Sequence, residues 1–213
     1  MKQVKLRYYI HNYQWHHGTT EGYLDLLPEV RAAEVRQFTH FKGYFNALVG
    51  KLLLRSALLE CGEPLSKLSG IENGVHGKPF HRDLFHFNVT HTDGLVAIAW
   101  SNDLPVGLDS ERIRKKDPYL FTKQFNEHEM KGFRDSEDPV RAFFKRWTQK
   151  EAIVKEIGDG LTLPLRDIKE GPANTFHFRD ENWRTQELAV STDHYLNLAT
   201  REEVRVDVRK LEF

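Results

Sequence analysis

Polar and apolar residues alternate over residues 4–10 (VKLRYYI), and that period of two predicts a β-strand. Over residues 28–38 the period lengthens. Pro28 suits the first turn of a helix, with Val30, Ala33 and Phe38 apolar at roughly helical spacing. A longer helix, rich in Leu and Ala, is expected over 44–60 and is closed by Gly62. Asn73-Gly74 and Gly77-Lys78-Pro79 then mark turns. Three short strands follow, over 84–90, 95–100 and 105–109, joined by the turn-forming Thr92-Asp93-Gly94 and Ser101-Asn102-Asp103. Residues 117–133 suit one or two short helices. A stronger helix is expected over 140–157, started by Asp138-Pro139 and stopped by Gly158-Asp159-Gly160. The stretch 176–208 reads as three or four antiparallel strands with short polar turns.

Strand, helices and strands thus occur twice in the same order. The expectation is an α+β fold of two similar halves, 1–104 and 105–213, although the sequence itself shows no convincing repeat. A length of 213 residues suits one large domain or two of about 100 residues, enough to bury a core without metal or disulfide staples. Charged residues make up 29% and mean hydropathy is -0.59, but 14 Phe and 7 Tyr supply a core, so the chain is globular rather than disordered. No apolar run reaches the roughly 20 residues that span a bilayer, and the N-terminus lacks a signal peptide's continuous apolar stretch. The single Cys61 rules out an internal disulfide framework and fits a reducing cytoplasm. Thirty-one basic residues balance 31 acidic ones, which argues against bulk nucleic-acid binding and leaves room for a local site for a phosphorylated metabolite.

Four groups of residues can carry chemistry. In Gly107-Leu108-Asp109-Ser110-Glu111, a strand places Asp109 and Glu111 on one face. Two carboxylates so close repel unless a cation or a shared proton relieves them, and oxygen-only ligands suit Mg²⁺; an exposed acidic strand end is the plainer alternative. On the helix over 140–157, Glu151 and Lys155 share a face, either as an ordinary surface ion pair or as functional groups beside the apolar Phe143, Phe144, Trp147 and Val154. Thr90 and His91 stand at the end of a strand, where they can donate to phosphate oxygens or merely accompany a hairpin turn. Arg31, Arg36, Lys42, Lys51 and Lys78 form a diffuse basic set, with Lys78 best placed to reach a ligand. The histidines at 81, 86 and 91 share no face of a strand or a helix, which disfavours zinc.

Taken in order, HGKPF, FNVTHTDG, VGLDSERI and FFKRWTQKEAIVKEIGDGL resemble the surfactin-type branch of the 4′-phosphopantetheinyl transferase superfamily. Its pattern is G-K-P, F-N-x-S-H, G-x-D-x-E and W-x-x-K-E-A-x-x-K-x-x-G-x-G-L. Upstream, FNALVGKLLLR is similar to the family helix R-x-x-L-L-G-R-x-L-L-R. The resemblance implies a pseudo-dimeric monomer with its active site between the halves. It also implies transfer of the phosphopantetheine arm of coenzyme A to a serine of an acyl or peptidyl carrier protein, releasing adenosine 3′,5′-bisphosphate. Asp109, Glu111 and Glu151 would bind Mg²⁺, Lys155 would contact the transferred phosphate, and Lys78, Thr90 and His91 would bind coenzyme A. Glu151 is the best candidate base, with a metal-bound water and His91 as rivals.

Three residues depart from that pattern. Thr90 replaces a serine and keeps its hydroxyl. Asn46 and Ala47 stand where many relatives have Arg and a small hydroxyl residue, so Arg31, Arg36 or Lys42 would substitute. Ser110 replaces an apolar residue and is expected to point away from the metal. Two other readings compete: a Mg²⁺-dependent phosphodiesterase or nuclease, disfavoured by the neutral charge, and an inactive carrier-protein-binding relative, disfavoured by the complete set of acids and lysine. No membrane or nucleic-acid partner is expected, and the location implied is the cytoplasm.

Overall fold

A computed structural model describes residues 1–213 except 14, 16, 159, 161 and 162, and except the side chains of 17 and 18. Asp159 of the expected helix stop therefore lies outside the described residues. The chain begins with β1 (Lys2–Ile10), followed by α1 (His17–Leu24), α2 (Glu29–Arg36) and α3 (Phe41–Glu60). The short pair β2 (Glu72–Asn73) and β3 (Pro79–Phe80) precedes β4 (His86–Thr92), β5 (Leu95–Ser101) and β6 (Gly107–Arg112). Then come α4 (Glu127–Asp135), α5 (Pro139–Ile157), β7 (Lys169–Glu170), β8 (Thr175–Phe178), β9 (Glu181–Glu187), β10 (His194–Thr200) and β11 (Val204–Lys210). The fold is mixed α+β, and no helix among the described residues is long and apolar enough to cross a membrane.

Two sheets carry the structure, one ordered β11-β1-β5-β4 and the other β6-β10-β9-β8-β7. Their wiring repeats. In the first, β1 pairs antiparallel with β5 and β5 with β4; in the second, β6 pairs antiparallel with β10 and β10 with β9. A helix from the intervening segment covers each, α3 on the first and α5 on the second. The final strand departs from the expected antiparallel run, since β11 pairs parallel with β1, from Lys2 opposite Val204 to Tyr8 opposite Lys210. The last strand of the chain thus completes the sheet that contains the first.

Strand β5 (LVAIAWS) is buried along its whole length because both faces are covered. Val96, Ile98 and Trp100 pack toward α3, while Ala97 and Ala99 join Val4, Leu6, Val106, Leu108, Leu196 and Leu198 in a core shared by both sheets. In α2 the expected apolar face is not the buried one. Val30 and Phe38 are about half exposed, and Arg31, Ala32 and Val35 face inward. Arg31 can do so because Leu68, Ser69 and Ile71 offer it backbone carbonyls, which satisfy its donors.

Helix α5 has strong boundaries. The Asp138 side chain accepts the Arg141 N–H, Pro139 occupies the first turn, and Gly158 ends the helix at φ 86°. The helix approaches Gly107 of β6 so closely that an added Cβ would overlap the Ala152 carbonyl and the Glu156 amide. The small residue lets β6 lie directly against α5. Gly107→Ala is therefore expected to cost about 3 kcal/mol, read as a lower denaturant midpoint at an unchanged m-value.

Candidate active site

The two sheets meet edge to edge at β4 and β6, and side chains make the join. Three alternate residues of β4 each offer an oxygen to an amide of β6: Asn88 Oδ1 to Leu108 N–H at 2.8 Å, Thr90 Oγ1 to Ser110 N–H at 3.1 Å, and Thr92 Oγ1 to Arg112 N–H at 3.1 Å. On its other edge β6 pairs with β10, so the amides facing β4 would otherwise lack partners. Thr90 also accepts from Lys155 Nζ at 3.1 Å. With both lone pairs engaged, its own hydroxyl proton goes to Ser110 Oγ, 3.1 Å away. Ser110, expected to point away from the metal, helps to hold Thr90.

Lys155 joins this seam to the acids, with its Nζ 2.6 Å from Asp109 Oδ1. Asp109 is buried, and its Oδ2 has no hydrogen-bond partner. Burial raises its pKa; the Lys155 cation opposes that rise and nearby Glu111 reinforces it. Glu151, also buried, is pushed up to about 7, chiefly by burial and then by Asp109, with Lys155 opposing and Glu111 adding to the rise. Glu111 is partly exposed and takes Arg114 at 2.8 Å. The three carboxylates lie within one another's fields but do not converge on a point: among the described residues no three His, Cys, Asp or Glu side chains form a ready metal cluster. Lys155 and Arg114 hold two of them apart. The donors still fit a hard divalent cation, being all oxygen, with the Asp109 and Glu111 charges raising the pKa of Glu151.

Two adjoining cavities lead away from this centre. The first, about 240 Å³, is lined by Glu151, Lys155, Asn88, His76, Lys78 and Gly158 among others. The second, about 170 Å³, is lined by Arg31, Glu34, Asn46, Lys51, Phe87 and His91 among others. Pro79 and Val89 belong to both walls. Strand alternation separates Thr90 from its neighbour: Thr90 faces the seam and His91 borders the second cavity. The imidazole of His91 is solvent-exposed, and its pKa is lowered by the protein around it and then by Lys155.

The expected basic residues divide. Lys78 lines the first cavity, but its ammonium donates to the carbonyls of Glu156 (2.9 Å) and Val106 (3.4 Å), and burial lowers its pKa. Arg31 reaches the second cavity with its donors taken by backbone carbonyls and by Glu34. Arg36 pairs with Glu29 on the surface and lines neither cavity, and Lys42 pairs with Asp93. Lys51, set aside as one of a diffuse basic group, lines the second cavity and pairs with Glu34 at 2.6 Å. Its place on the cavity face of α3 is a helical-phase signal that the sequence carried.

Residues 105–208 match the sequence model of ACPS, the 4′-phosphopantetheinyl transferase superfamily. Over 146 residues the chain is 34% identical to the 4′-phosphopantetheinyl transferase gsp of Aneurinibacillus migulanus, covering 68% of this chain and 61% of that protein. It is 26% identical over 149 residues to the 4′-phosphopantetheinyl transferase Sfp of Bacillus subtilis (strain 168), covering 68% and 66%. A solved structure, the Thermotoga maritima holo-[acyl-carrier-protein] synthase, aligns over 47% of this chain and 64% of its own at 15% identity and a TM-score of 0.37, too loosely to carry an argument. Residues 105–208 thus match the 4′-phosphopantetheinyl transferase superfamily, and the similarity to these bacterial relatives supports its surfactin-type branch. The chain covers about three fifths to two thirds of the length of those two relatives.

Because the folded state raises Glu151 from 4.5 to about 7, its contribution to stability is full below about pH 4.5 and lost as pH rises through about 7. Glu151→Gln removes that dependence. At pH 8 without divalent cations the variant is expected to be more stable by on the order of 2 kcal/mol, as measured by chemical denaturation. A variant no more stable than the parent at pH 8 would show that the carboxylate is not held in a disfavoured charged state.

Proposed function

We propose that this chain transfers the 4′-phosphopantetheine arm of coenzyme A to a serine of an acyl or peptidyl carrier protein, in a Mg²⁺-dependent reaction that releases adenosine 3′,5′-bisphosphate. The observation that carries this reading is Lys155: one ammonium bonded to both Asp109 and Thr90, on a residue that lines the first cavity, which shares Pro79 and Val89 with the second. The two cavities together suit an elongated molecule with a phosphate near its middle. The names of the bacterial relatives support the same activity.

Asp109, Glu111 and Glu151 are the residues that would hold Mg²⁺, which when bound neutralises charge on the pyrophosphate. The chain's own groups do the rest. Lys155 donates to a non-bridging oxygen of the transferred phosphate, where negative charge shifts during displacement. Thr90 orients that ammonium from the seam. Glu151 takes the proton of the attacking serine hydroxyl, with His91 as the rival base. Lys51, His91 and Lys78 border the path of the rest of coenzyme A and would contribute cations or donors to its phosphates.

The same proposal includes two halves, 1–104 and 105–213, related by a pseudo-twofold axis with the site between them, and with β11 lent to the first sheet. The repeated strand–helix–hairpin wiring supports it. Action as a monomer in the cytoplasm, without nucleic acid or membrane, belongs to this reading as well.

Mass spectrometry of purified carrier proteins after incubation with the chain, coenzyme A and Mg²⁺ tests it. The expected product is a carrier heavier by one phosphopantetheine arm, absent when Mg²⁺ is chelated. Asp109→Ala is expected to abolish the product. Lys155→Ala should lower turnover by about 100-fold or more while changing the KM for coenzyme A by only a few-fold. Cleavage of coenzyme A without a carrier protein would identify a phosphodiesterase instead.

A further inference from the structure

Asn197 belongs to none of the motifs and is completely buried in β10, beside the apolar Leu196, Leu198 and Ala199. It stands directly opposite Asp109 in the β10–β6 ladder. Opposed residues of an antiparallel pair send their side chains to the same face, here the face beneath α5. Asp109 reaches Lys155 on that helix, and the Asn197 amide lies 2.7 Å from Thr148 Oγ1 on the same helix.

Two buried oxygens on this face lack a partner: Asp109 Oδ2 and Asn197 Oδ1. The Ser110 amide, given to Thr90, also favours the charged form of Asp109, but no donor reaches Oδ2. Two orphaned acceptors on directly opposed side chains are costly, and a single change removes both. The oxygen and nitrogen of a carboxamide have the same shape, so their assignment follows from the hydrogen-bond network. With the amide inverted, Nδ2 donates to Asp109 Oδ2 and Oδ1 accepts the hydroxyl proton of Thr148. That proton otherwise goes to the Phe144 or Lys145 carbonyl within the helix.

We propose that Asn197 is the positioning residue of Asp109: its amide donates to Asp109 Oδ2, is itself oriented by Thr148, and leaves Oδ1 directed at Lys155. The choice of a neutral donor has a physical reason. A lysine there would neutralise the carboxylate, and an aspartate would add a fourth negative charge to a site that already holds three. A carboxamide fixes the plane of Asp109 and leaves its charge for the cation and phosphate. This rests on the transferase reading for its purpose, but the hydrogen bond itself does not.

The decisive experiment uses the isotope-labelled, metal-free full chain. A scalar coupling across the hydrogen bond, from the Asn197 side-chain nitrogen to the Asp109 carboxyl carbon, is expected by NMR; its absence overturns the proposal. Asn197→Leu keeps the size and removes the donor. In that variant the Mg²⁺ concentration for half-saturation, measured by calorimetry without coenzyme A, should rise about 10- to 100-fold. The KM for coenzyme A should stay within about threefold. A folded Asn197→Leu chain that binds Mg²⁺ like the parent also overturns the proposal. Should the variant fail to fold, the coupling in the parent chain decides alone. A parent chain that shows the coupling but loads no carrier protein would sink the transferase reading and leave the hydrogen bond standing.

Discussion

Two strand edges that share no backbone ladder are stitched together by side chains, and the site depends on that seam. Asn88, Thr90 and Thr92 each bond an amide twenty residues further along the chain. A one-residue slip would turn Phe87, Val89 and His91 into the seam and remove every one of these oxygens. The register is therefore set by chemistry and not by shape alone. Thr90 is its centre, since one hydroxyl binds a β6 amide, Ser110 and Lys155 at once.

From that fixed point the electrostatics follow. Gly107 lets β6 lie against α5, which brings Lys155 onto Asp109 and leaves Glu151 buried between like charges. The arrangement is poor for stability and useful for chemistry: burying carboxylates together raises their pKa values and creates affinity for a cation. Arg7 shows the contrasting, structural use of buried charge. It is fully covered yet bonded to Glu60 and Asp207, tying α3, β1 and β11 together without leaving a side-chain donor free for a ligand.

Much of this was legible in the residues. Alternation located β1, flanking turn residues located β5, and Asp138-Pro139 with Gly158 located α5, because those signals act over a few neighbouring positions. Asp109 with Glu111 and Glu151 with Lys155 stood out by spacing as same-face pairs, and the family resemblance alone assigned them roles. What stayed hidden depends on partners far along the chain. Nothing in VRVDVRK says that β11 will lie parallel to β1, since an edge strand's pattern names a face and not a neighbour. Lys78 and Arg31 were expected at a ligand but meet backbone carbonyls, which every residue carries and no sequence distinguishes. Gly107 could be read as a motif glycine, though its reason, the backbone of α5, becomes visible only when strand and helix are packed. Asn197, in a strand that also holds His194, Tyr195 and Thr200, gave no sign of its partner in the sequence.

The central claim is that Asp109, Glu111 and Glu151, drawn from one strand and one helix, act as a single cation site. Carbon-13 NMR of their labelled carboxyl carbons during a Mg²⁺ titration of the metal-free chain tests this most directly. All three signals are expected to shift together with one common dissociation constant. Three independent responses, or shifts at Glu111 alone with Asp109 and Glu151 unmoved, would contradict it.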